Sequence, residues 1–190
     1  MSNRSTGIRS ARGFSILEMM FVVALMGILS TMAMLEMSRT RPALRGDGAM
    51  RVLLGQMRTA RELAITQRRF MRVTLKNNNQ IEVMREEVPG PATTVLSTVS
   101  LEGGIQYTLV SGIPDTPDAF GIGAPIDFGV VTNIKFTPDG TLVNQDGQSV
   151  NGSVFFAIPN LDLSVRAITV LGSTGRIRAY RWNGRLWKLV

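Results

Sequence analysis

The 190-residue chain has no cysteine and no histidine. Their absence excludes disulfide frameworks, the usual Cys/His zinc sites, Ser-His-Asp and Cys-His nucleophile systems, and thiol redox chemistry. Carboxylate chemistry or a magnesium site stays formally open, but the core catalytic toolkit is missing, so no enzyme, no metal and no cofactor is expected. Lysine is scarce too: of 21 cationic residues only Lys76, Lys135 and Lys188 are lysine, and the rest are arginine. Aromatics make up 6 % of the chain, yet Tyr180, Trp182 and Trp187 fall close together near its end. No internal repeat or low-complexity run is present.

Net charge is +7, and it is segregated. Residues 1–13 carry Arg4, Arg9 and Arg12 and no acid, while 14–38 carry only Glu18 and Glu36. From Arg39 to Arg72, nine arginines face Asp47 and Glu62 alone. Residues 73–165 are acidic, and 166–190 hold six cations and no acid. Solvated surfaces usually mix their signs, so two basic blocks point to a partner: phosphate, anionic headgroups or an acidic neighbour.

Phe14–Leu35, FSILEMMFVVALMGILSTMAML, is a long apolar run with one charge, Glu18. As a helix it spans roughly 33 Å, enough for a hydrocarbon core of about 30 Å. The remaining residues have mixed polarity and are too few to wrap such a helix on all sides. We expect a single membrane span, with the short positive flank in the cytoplasm and the C-terminal part in the periplasm.

A secretory signal would place a small-x-small cleavage site after a shorter apolar run. Here Gly13 precedes the run. Arg12-Gly13-Phe14-Ser15-Ile16-Leu17-Glu18 resembles the class III signal of type IV prepilins and type II secretion pseudopilins. The resemblance implies cleavage after Gly13 and methylation of the Phe14 amine by a prepilin peptidase and methyltransferase. It also implies a role for Glu18 in assembly with other pilins or pseudopilins into a helical filament. Many members place a proline about two-thirds along this helix, but here the nearest is Pro42. Glu18 has a physical reading of its own. An acid in hydrocarbon is costly, and the new amine four residues earlier could neutralise it. The alternative is an acid near the helix end that reaches the interface.

After Glu36 the chain turns polar, and a second helical stretch is expected from about Leu44, with a kink or loop where Gly46 and Gly48 weaken it. Met50, Leu53, Leu54, Met57, Ala60 and Ala64 mark one apolar face, with the methionines read as packing material rather than ligands. Strands are expected at 70–76, 80–85, 95–101, 105–110, 134–137, 153–158, 166–171, 175–182 and 185–190. A long irregular loop is expected over 111–132. The fold class is α+β with a mainly antiparallel sheet. The expected organisation is a leader at 1–13, a hydrophobic helix at 14–38 and a periplasmic head at 39–190. Asp139-Gly140 and Asp146-Gly147 read as turns rather than a calcium loop.

The head resembles the GspH/FimT-like branch of the pilin family. The resemblance rests on Arg-Thr-Ala-Arg-Glu-Leu-Ala-Ile-Thr-Gln-Arg at 58–68, Phe136-Thr137-Pro138-Asp139-Gly140, and Gly175-Arg176-Ile177-Arg178, with 86–132 least alike. It implies a minor pilin or pseudopilin of a type IV pilus or type II secretion filament, in the inner membrane before assembly. Some FimT-like pilins bind DNA through a Gly-Arg-x-Arg motif, which would make DNA a further partner and Arg176 and Arg178 the matching positions.

Asn183-Gly184 predicts a two-residue hairpin that pairs Trp182 with Arg185, Tyr180 with Trp187 and Arg178 with Leu189. Arg176, Arg178, Tyr180, Trp182, Arg185 and Trp187 would then share a face able to meet phosphates and stack on bases. Two alternatives remain open. The tryptophans could be core against the helix, with arginine stems at their edges. The basic ribbon could instead dock on an acidic neighbour.

Overall fold

The structure is a computed structural model that describes residues 14–129 and 133–190. The chain divides into two units, 1–39 and 40–190. Gly13 and the expected leader lie outside the described residues.

One helix, α1 (Ile16–Gln67), opens the described part of the chain after Phe14 and Ser15, and Pro42 lies inside it. No break appears after Glu36 and no new start at Leu44, contrary to the sequence expectation. Tertiary contacts on the turns after Pro42 supply the reason. Ala49 and Met50 are buried, and the fully buried Arg166 donates from Nη2 to the Ala43 carbonyl (2.8 Å) and from Nε to Asp47 (2.7 Å). Gly46 is no weak point either. A Cβ there would lie 2.4 Å from the Ser164 carbonyl oxygen, so glycine lets the helix touch that backbone.

Farther along, Met50, Leu53, Met57, Ala60 and Ala64 are buried on one face, as their spacing predicts, and Leu54 packs at the margin. Two antiparallel sheets supply the other side of this core. The first contains β1 (Met71–Lys76), β2 (Gln80–Glu86), β3 (Thr93–Ser100), β6 (Asn133–Phe136) and β7 (Leu142–Val143), in the order β3-β2-β1-β6-β7. The second contains β4 (Gln106–Tyr107), β8 (Gly152–Ala157), β9 (Arg166–Leu171), β10 (Arg176–Trp182) and β11 (Trp187–Leu189), in the order β11-β10-β9-β8-β4, with β5 (Ile126–Asp127) also on β8.

Residues 108–125 run between β4 and β5, which pair with the same edge of β8. This strap was expected as an irregular loop. It is irregular, but it covers a face of the second sheet: Leu109, Val110, Ile113 and Ile122 pack on Phe155, Ala167, Tyr180, Ala157, Val165 and Trp182. The expected strand at 105–110 shrinks to two residues because the chain leaves the edge there to become the strap.

Candidate functional site

At the N-terminal end, Phe14 stands just before α1 and is 76 % exposed, and Glu18 lies in the first turn. Ile16–Met34 has a mean hydropathy of 2.1, and none of the window is buried. Apolar side chains point outward all round this stretch, so among the described residues nothing covers it. Such a surface needs lipid or other apolar helices to remove it from water.

The C-terminal ribbon departs from expectation in register and in burial. Trp182 pairs with Trp187, Arg181 with Lys188 and Tyr180 with Leu189. The loop is therefore 183–186, closed by Asn183 Oδ1 accepting from the Arg185 and Leu186 amides (2.9 and 2.8 Å). Asparagine's own side chain makes the turn, so the longer loop wins over the two-residue one. The slip is by two residues, which keeps Tyr180, Trp182 and Trp187 on one face but moves Arg185 off the strand.

That face is covered. Tyr180 is buried and Trp182 is 7 % exposed. The two indoles meet edge to face at 5.4 Å, and Trp187 Nε1 donates to the Pro114 carbonyl of the strap (2.9 Å). Neither Tyr180 nor Trp182 can stack on a base. They are core, as one alternative held, but against the strap rather than the helix. The opposite face of β10, with Ile177 and Ala179, belongs to the helix-side core.

Asp118 of the strap holds this arrangement. It accepts from Arg178 Nη1 (2.6 Å), Thr169 Oγ1 (2.6 Å) and the Tyr180 hydroxyl (3.0 Å). Burial works against its ionisation, but these hydrogen bonds outweigh it and hold the carboxyl below the ordinary aspartate range. Arg178 is thus spoken for, and of the Gly-Arg-x-Arg pair only Arg176 is exposed with its guanidinium unengaged among the described residues.

The stretches 58–68, 136–140 and 175–178 of the head converge on one joint. Arg61 of α1 donates from Nε to the Gly140 carbonyl (3.0 Å) and from Nη2 to the Thr174 carbonyl (3.1 Å). Gly175, at φ +61°, leaves no room for a side chain, since a Cβ would lie 1.9 Å from the Gly140 oxygen. Asp139-Gly140 closes a turn in which Asp139 accepts from the Thr137 and Thr141 hydroxyls. Beside the joint is a groove of about 550 Å³ lined by Arg58, Arg61, Glu62, Ile65, Arg176 and Ile177 among others. Arg58 and Arg61 escaped the sequence reading as site residues. The 58–68 run contained them, but nothing in it indicated that Arg176 would lie alongside.

Residues 8–34 match the Prokaryotic N-terminal methylation motif. The chain carries a methylation signal. The motif spans Gly13, Phe14, Glu18 and nearly all of the apolar stretch, and it says nothing of residues 35–190. No curated protein matches the chain. Among solved structures, the chain is similar to the type IV minor pilin FimU of Pseudomonas aeruginosa (strain PAO1) in two crystal forms. One, in space group P65, is 17 % identical, covers 70 % of this chain and 90 % of that one, and gives a TM-score of 0.47. The other, in P21, is 15 % identical, covers 74 % and 88 %, and gives 0.46. The methylation motif and the exposed apolar helix it introduces carry the functional argument.

Proposed function

We propose that the chain is a minor pilin or pseudopilin, a non-enzymatic subunit that leaves the inner membrane for a type IV pilus or type II secretion filament. The observation that carries this is the methylation motif running into a wholly exposed apolar helix segment. In this reading the peptidase cuts between Gly13 and Phe14, the Phe14 amine is methylated, and the cationic amine of one subunit neutralises Glu18 of a neighbour. Arg4, Arg9 and Arg12 keep the leader cytoplasmic and place residues 40–190 in the periplasm. Intact-mass measurement of membrane or filament material from a host with active peptidase should give a chain that starts at methylated Phe14. A retained leader there would refute the proposal. Gly13→Val should block cleavage.

A second reading, a DNA-binding minor pilin serving DNA uptake, is favoured by the exposed Arg176 on a groove it shares with two helix arginines. It differs from the first in requiring DNA binding by the isolated subunit.

A further inference from the structure

We infer that the groove at the joint, rather than the aromatic ribbon, is a phosphodiester-binding site whose contacts are Arg58 and Arg61 of α1 together with Arg176. The inference rests on the DNA-binding reading above and names the residues that would carry it. Arg58 and Arg176 make no side-chain hydrogen bond or ion pair among the described residues, while Glu62 is the one acid among the described residues lining the groove. Arg61 is already fixed by the Gly140 and Thr174 carbonyls through Nε and Nη2, and its Nη1 makes no hydrogen bond among the described residues. A guanidinium held in this way loses little freedom on binding, and two unengaged forks with one further donor, from two separate elements, suit oxyanions with several acceptors. Of the other cations near the C-terminus, Arg185 and Lys188 lie outside the groove lining, and two more are already paired. Arg178 is held by Asp118 and Arg181 by Asp47 (3.1 Å).

The lining also sets the mode of recognition. Ile65 and Ile177 give the groove apolar walls without an aromatic ring, and Tyr180 and Trp182 are buried under the strap. The site therefore offers phosphate contacts and no stacking platform, and its binding should be independent of base sequence.

The test uses the full chain in nonionic detergent, with fluorescence anisotropy of a labelled DNA duplex and a labelled oligothymidylate across a salt series. Wild type should bind both at low salt. Arg58→Gln with Arg176→Gln should weaken binding at least about tenfold and lower the duplex log-log salt slope by roughly 1.8, at about 0.9 per phosphate contact. Its melting temperature should stay unchanged, because exposed arginines contribute little to stability. Arg185→Gln with Lys188→Gln should stay within about twofold of wild type, as neither lines the groove. Loss in that second variant with the first intact would overturn the groove and leave the DNA-binding reading standing. Failure of the wild type to bind at low salt would overturn the reading and the groove with it. Inorganic phosphate and glycerol phosphate serve as competitors. Displacement of the oligonucleotide at an equal concentration of phosphate groups would overturn the assignment in favour of a small phosphate ligand.

Discussion

Arg166 shows how much one side chain can decide. It is fully buried, and burial disfavours its charge, a penalty opposed by the hydrogen bond and charge of Asp47. Its Nη1 donates to the Leu163 and Val165 carbonyls (2.9 and 2.7 Å), so every nitrogen of the fork is occupied. Removing one partner of such a pair leaves an uncompensated buried charge, worth about 3–5 kcal/mol in buried sites. Asp47→Ala should cost roughly 3 kcal/mol in thermal or denaturant unfolding, toward the low end because Asp47 itself keeps some exposure. A loss below about 1 kcal/mol would mean water reaches Arg166 after the change. Asp118 gives a pH prediction. Its folded pKa is depressed, so its contribution is full above the ordinary aspartate value of about 3.9 and is lost as pH falls through the lower folded value. Acid titration of tryptophan emission should therefore show the strap lifting from Trp187 below about pH 4. Asp118→Asn should remove that transition and loosen the strap already at neutral pH. Identical acid titrations for the two proteins would exclude Asp118 as the latch.

At the scale of the element, α1 carries three glycines after Pro42, and their surroundings give them different signs. Gly48 and Gly55 have nothing within 4 Å of an added Cβ, whereas at Gly46 it would strike the Ser164 carbonyl at 2.4 Å. Gly48→Ala and Gly55→Ala should each stabilise by roughly 0.5–1 kcal/mol, through the lower entropy cost of ordering alanine in a helix. Gly46→Ala should destabilise by about 1–3 kcal/mol as the helix is pushed off the 3-10 turn at Asp162–Ser164. Melting curves of the three variants check the set, and the same sign at all three positions would contradict the close approach at Gly46. The continuity of α1 past Pro42 follows the same logic. A proline in a helix interior costs about 3 kcal/mol, and the buried contacts of Ala43, Asp47, Ala49 and Met50 offset it.

For the molecule as a whole, residues 40–190 hold their own core, while 14–34 are exposed throughout the described chain. A chain beginning at Thr40 should be soluble without detergent and melt cooperatively. One beginning at Arg51 should not fold, because it lacks the Ala43 carbonyl, Asp47, Ala49 and Met50 and leaves Arg166 buried without its acid. Circular dichroism melts of the two truncations distinguish these outcomes, and cooperative unfolding of the shorter chain would show that the Arg166 cluster is dispensable. Glu18 belongs to this scale too, since its proposed partner lies on another subunit. Glu18→Leu should leave membrane insertion intact, because it removes a charge from hydrocarbon, and should abolish recovery in sheared filaments. Wild-type recovery would show that no neutralising pair is needed.

What the sequence determined by itself is local and periodic. The order of apolar residues marked the N-terminal helix and the buried face at Met50–Ala64, because side-chain direction repeats every 3.6 residues whatever the helix packs on. Strand alternation located most of both sheets for the same reason, with period two. The short motif around Gly13 was legible because a signal is read as a linear string. What only the tertiary structure decided depends on neighbours distant along the chain. The helix continues through Pro42 and Gly46 because Arg166, more than a hundred residues later, holds it. Tyr180 and Trp182 are core rather than a stacking surface because a strap with almost no regular structure of its own crosses them, and no periodicity announces such a layer. Arg178 and Arg176 look equivalent in the string, but Asp118 takes one and leaves the other beside Arg58 and Arg61. Which charges remain free is a matter of which opposite charges the fold brings within about 3 Å, and linear spacing carries no such information.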